Sequence, residues 1–242
     1  MAKRDTSQFR GHSLQQDQTT EQGVTLLECL VAISVIAILG AMIGPPLVFT
    51  AATRLQNQRA EQAFQIAQAE VDRIRVLVAR GEHTPNKLPP VVASLNAAPA
   101  PTTVSTTIRS IDAACNTYTG QPIPVNQLLR IDTTGKDPDN VCRADFLMQV
   151  YRTNNNPSIA DTSNRPVDFS VGVRVYSARA EASLGDLTTR PANLRFTSGE
   201  GDYAQDPNGG VSQKGPLAVF DSNLIWTDRS GALCDYNGNP NC

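Results

Sequence analysis

The sequence predicts an α+β chain in which one long N-terminal helix, membrane-spanning in its first half, packs by its second half on an antiparallel β-sheet. Three patterns predict it. Cys29 to Phe49 is an apolar run in which only Ser34 is clearly polar. Leu55, Phe64, Ala67, Val71, Ile74, Leu77 and Val78 then recur at helical spacing. Farther on, Val167 to Tyr176 places apolar residues at its odd-numbered positions, the period of a strand with one face buried.

The apolar run sets the first expectation. At about 1.5 Å per residue it covers roughly 30 Å, the thickness of a bilayer core, so 24–49 reads as a transmembrane and assembly helix. Lys3, Arg4 and Arg10 precede it. Basic residues beside a span favour the cytoplasmic side, whatever the net charge, which places the N-terminus inside. A buried helix of a soluble protein is the competing reading, and the length of the run beside a basic tail argues against it. A cleaved secretory signal peptide fits poorly, because the residues before Gly23 are polar and no small-residue cleavage site follows the run.

Immediately before the run stands Gly23-Val24-Thr25-Leu26-Leu27-Glu28. With the run, this word resembles the type III signal sequence of type IV prepilins and type II secretion pseudopilins. The shared features are a glycine before the expected cut, an apolar residue after it, a carboxylate at the fifth mature position and a membrane-length helix. The resemblance implies that a prepilin peptidase/N-methyltransferase cuts after Gly23, removes a leader of residues 1–23 and leaves an N-methylated Val24. Most family members have Phe where this chain has Val24. The resemblance further implies a minor pilin or pseudopilin that enters or initiates a type IV pilus-like or secretion filament, with other subunits and an inner-membrane assembly platform as partners. The implied location is the bacterial inner membrane, single-pass with the head periplasmic, followed by a filament that can reach the cell surface.

Glu28 is the physically expensive residue, since a carboxylate heading an apolar helix needs a counter-charge, access to water or protonation. The resemblance gives it the new α-amine of an adjacent subunit and an assembly role. The local alternative is stabilisation by the free N–H groups and dipole of the first helical turn. Gly40 with Gly44, and Ala37 with Ala41, have a spacing that lets helices approach closely. Pro45 and Pro46 remove two backbone donors and predict a helix kink. The spine helix then continues over 50–81, with Gly81 as its stop.

Residues 82–242 form the head. Prolines at 85, 89, 90, 99 and 101 make Glu82 to Pro101 a loop, with Val91 to Leu95 at most a short edge strand. Strands are expected at Thr103 to Ile111, Ala144 to Arg152, Val167 to Tyr176 and Leu217 to Thr227. Outside the apolar run lie Cys115, Cys142, Cys234 and Cys242. Pairing Cys115 with Cys142 and Cys234 with Cys242 joins sequence neighbours, although the sequence alone leaves three complete pairings open. Their spacing lacks the short paired motifs of a zinc site. Cys29, within the apolar run, reads as a small apolar thiol.

Other chemistries find little support. Asp202, Asp206 and Asn208 offer oxygen ligands, but without calcium-loop spacing. His12 and His83, the only histidines, accompany no local nucleophile, so neither a catalytic residue, a metal nor a cofactor is expected. With 21 Lys and Arg against 23 Asp and Glu, the net charge of -2 gives no general pull toward nucleic acid. A membrane-tethered periplasmic binding protein is the alternative to a filament subunit.

Overall fold

The computed structural model describes residues 25–155, 164–191 and 214–226, and for 43–53 the backbone alone. Expectations on Gly23, Val24, His12, the 201–210 segment, Cys234 and Cys242 fall outside these residues. The chain divides into two compact units, Met1–Val48 and Phe49–Cys242. One helix, α1 (Leu26–Ala79), contributes to both. The strands are β1 (Thr103–Ser110), β2 (Gln127–Asp132), β3 (Phe146–Arg152), β4 (Asp168–Ser177) and β5 (Ala218–Ile225). The helical assignment of α1 runs through Pro45 and Pro46.

In the second unit the five strands form one sheet in sequential order. The expected all-antiparallel sheet is corrected here: β2 to β5 pair antiparallel, but β1 pairs parallel to β2. Parallel neighbours need a crossover rather than a tight turn, and Ile111–Asn126 supplies one. The sequence reading also missed β2. Its burial comes in adjacent pairs rather than alternating, because Leu129 and Ile131 join the core under α1 while Leu128 packs on the other face. A strand covered on both sides has no period-two signature. The proposed edge strand at Val91 is a single bridge to Arg152, followed by a 3-10 turn at Leu95–Ala97.

Ala63, Ala67, Val71, Ile74 and Val78 form the buried stripe of α1, packed with Met148, Phe169, Val171, Val173 and Val175 from β3 and β4. Small residues at 63 and 67 let the helix lie close to the sheet. Leu55 and Phe64, read from spacing as part of the stripe, are exposed. The helix ends in a left-handed residue, Gly81 (φ 67°), with Gly81 N donating to Val78 O and Glu82 N to Leu77 O. This pattern satisfies terminal carbonyls and needs the glycine.

On the other face, Leu128, Leu147, Tyr176, Ala180 and Leu187 make a smaller cluster. Beside it the proline-rich segment crosses the sheet. Arg174 donates to the carbonyls of Leu95 and Ala98, and Gln149 to those of Pro99 and Val125. The Tyr151 ring lies over Gly172, where an added Cβ would stand 2.4 Å from Tyr151 Cε2. The Arg174 guanidinium sits 4.8 Å from the centre of that ring. Burial raises the Tyr151 phenol to about 12, with Arg174 pulling the other way.

The membrane expectation is corrected too. Among the described residues, no helix is long and apolar enough to cross a membrane. The start of α1 also carries the polar side chains of Glu28 and Ser34. The transmembrane first half of the helix and the single-pass inner-membrane location are not supported.

Candidate functional site

The candidate site is the N-terminal part of α1. Thr25 precedes the helix, and its Oγ1 accepts a hydrogen bond from Glu28 N at 3.3 Å. Thr25-Leu26-Leu27-Glu28 therefore has the spacing of a capping box, in which a Thr at the cap meets a Glu in the first turn. Glu28 is exposed, and as the acidic residue of the first turn it faces the positive end of the helix dipole. The capping role was visible in the sequence as Thr-x-x-Glu but was hidden behind the processing-like word.

Beyond Glu28 the helix is apolar on every side. Leu26, Leu30, Ile33, Ile36, Leu39 and Met42 are each more than half exposed. Every described residue from Thr25 to Met42 is exposed. A helix apolar all round needs cover on all sides, and the described part of the chain offers none. The one polar side chain in the run is satisfied within the helix, with Ser34 Oγ donating to Leu30 O at 2.8 Å. A Cβ at Gly40 would meet nothing within 4 Å, so another backbone can approach there. Cys29 is a free, exposed thiol. Gly44, Pro45 and Pro46 lie in the stretch known by backbone alone.

Residues 19–44 match the prokaryotic N-terminal methylation motif. This motif is typical of type IV pilin and pseudopilin family members. No curated protein and no solved structure matches the chain. The methylation motif takes in Gly23, Val24 and Glu28, and most of the exposed apolar helix. It ends before the sheet begins.

In the second unit, Cys115 and Cys142 form a disulfide with Cα atoms 5.6 Å apart. It joins the β1–β2 crossover to the β2–β3 connection. A second tie, absent from the sequence reading, links α1 to edge strand β1. The buried carboxylate of Glu70 accepts from Arg73 Nη2 at 2.6 Å and from Arg109 Nη1 at 2.6 Å. Burial works against the Arg73 charge, but the hydrogen bond and charge of Glu70 outweigh it and raise its pKa. Burial, then the Glu70 charge, raises the nearby Tyr118 phenol. The adjoining cavity is about 20 Å³, room for one water, so this cluster is a clamp and not a ligand site. Sequence offered no route to it, because Glu70 occupies a position of the core stripe where an apolar residue is expected.

His83 is fully buried, with its ring 4.5 Å from that of Trp226 in an edge-on arrangement. Among the described residues no group of His, Cys, Asp and Glu is arranged to hold a metal.

Proposed function

We propose that the chain is a non-catalytic pilin or pseudopilin subunit that enters or initiates a type IV pilus-like or secretion filament. The observation that carries this reading is the coincidence of the methylation motif over 19–44 with a helix whose apolar side chains have no cover among the described residues. Side-by-side packing with the equivalent helices of other subunits would supply that cover, and the open surface at Gly40 suits close approach.

In this reading a prepilin peptidase/N-methyltransferase cuts after Gly23 and methylates Val24. The new α-amine of one subunit then pairs with the exposed carboxylate of Glu28 in another, fixing the register between helices. Pro45 and Pro46 would let the helix bend between its bundled part and its sheet-bound part.

The test is N-terminal mass spectrometry of the protein made with its native processing system, alongside co-isolation with filament subunits. The expected mature start is a methylated Val24, with wild type recovered in filaments and Glu28→Ala strongly depleted. Retention of residues 1–23 would overturn the processing, and equal recovery of Glu28→Ala would overturn the role of the carboxylate.

A further inference from the structure

Two adjoining hollows run along one flank of α1, beside the stripe it buries. Arg59, Gln62, Ile66 and Ala69 line them from the helix, three or four residues apart and so on one face. The first hollow, about 300 Å³, has Arg59, Gln62 and Arg179 in its wall. The second, about 180 Å³, has Ile66, Ile111 and Ile131, and Thr133 lines both. Ile111 is 74% exposed.

Neither Arg59 nor Arg179 forms an ion pair among the described residues. Asp145, the carboxylate in the wall, is engaged by Thr133, whose N and Oγ1 donate to its Oδ2 at 2.8 and 2.6 Å. The first hollow thus sets two guanidinium groups against the one carboxylate of Asp145, a net positive charge, next to a second hollow lined by isoleucines and by Arg109 and Asp132.

A different face of the same helix stretch carries the complement. Glu61 is exposed and has no ion pair among the described residues. Phe64, one turn on and therefore beside it, is 40% exposed. Its ring is backed edge-on by Phe220 of β5, with centroids 5.4 Å apart. A carboxylate and a supported aromatic ring thus stand together, opposite in charge to the net positive first hollow.

We propose that the hollowed flank receives Glu61 and Phe64 of a second copy of this chain, the carboxylate against Arg59 and Arg179 and the ring in the isoleucine cup. Charge complementarity selects this occupant: two unpaired guanidinium groups and one unpaired carboxylate, each beside exposed apolar surface. The two surfaces are different faces of one chain, so a contact repeated head to tail without closing leaves a free surface of each kind at the ends and builds an open array. The inference deepens the filament reading and rests on it.

The test uses two differently tagged forms of the full chain made with the native processing system, both carrying Cys29→Ser. One has Gln62→Cys beside the arginines, the other Gln65→Cys beside Glu61 and Phe64. Mild oxidation is expected to give mixed-tag disulfide dimers in about ten-fold excess over either same-site dimer. Adding R59E and R179E to the first form should cut that yield about ten-fold, and adding E61R to the second should restore it. Same-site dimers at equal yield, no mixed dimer, or no restoration by the swapped charge would each overturn the contact. Recovery in filaments is scored in parallel, so the two ideas fail separately. Filaments without the mixed dimer sink the contact alone, whereas the mixed dimer without filaments sinks the filament reading.

Discussion

The two described stretches of α1 use the same side chains for opposite ends. From Leu26 to Met42 the isoleucines and leucines point outward on every side and are each more than half exposed. From Ala63 to Val78 one stripe, Ala63, Ala67, Val71, Ile74 and Val78, is buried to a few per cent exposure or less under the sheet, while Phe64 and Val76 stand exposed outside it. Hydrophobicity alone therefore does not locate a core. A stripe says that the chain supplies its own cover, and a full ring of apolar residues says that something else must.

That contrast is most open to attack at Ile74 and Ile36. Ile74→Ala removes a fully buried side chain and should lower unfolding stability by about 3 to 4 kcal/mol. Ile36→Ala changes a side chain that is 69% exposed and should stay within about 0.5 kcal/mol. The measurement is the urea midpoint followed by Trp226 fluorescence, since the chain has one tryptophan. Equal losses at both positions would mean that the N-terminal stretch is covered by its own chain.

The cysteines sharpen the same comparison. Replacing both Cys115 and Cys142 by Ser frees a loop with a sequence separation of 27 and should cost about 3 kcal/mol. Cys29→Ser, in the exposed stretch, should not move the midpoint. Matched midpoints for wild type and the double variant would show that the bridge adds nothing to stability.

The smallest expected effect concerns acid. Asp132 is buried, which opposes its charge, but hydrogen bonds from Ser110, Gly135 and Thr134 outweigh burial and lower its pKa. A carboxylate with a depressed folded pKa contributes stability at and above the ordinary carboxylate range and loses it as pH falls through the folded value. Below about pH 4 the wild-type midpoint should therefore fall more steeply than that of Asp132→Asn. Parallel curves for wild type and Asp132→Asn would remove Asp132 from the acid response.

What could be read in advance follows from how local each signal is. β1, β3, β4 and β5 fall within the four segments read as strands, give or take a residue or two, because turn residues and β-branched runs mark them locally. β2 did not show, since its adjacent buried pairs obey two cores at once. The parallel pairing of β1 did not show either, because pairing direction depends on where a crossover returns. The Cys115–Cys142 bridge is the one preferred from the sequence because it joins neighbouring cysteines, although spacing alone leaves three complete pairings open. In the N-terminal stretch the glycine-to-glutamate word and the apolar run were legible, but the expected membrane span is overturned, since among the described residues no helix is long and apolar enough to cross a membrane. The Glu70 clamp and the hollows along α1 had no sequence signal, being assembled from residues far apart in the chain.

The proline-rich crossing over the back of the sheet carries one more consequence. Prolines bring carbonyl groups without matching N–H groups, so a segment such as 89–101 arrives with acceptors in surplus. Arg174 and Gln149 meet that surplus from below, Arg174 at the carbonyls of Leu95 and Ala98 and Gln149 at that of Pro99. Water is thereby kept from the middle of β3 and β4, and amide protons there should exchange with deuterium only when the whole unit opens.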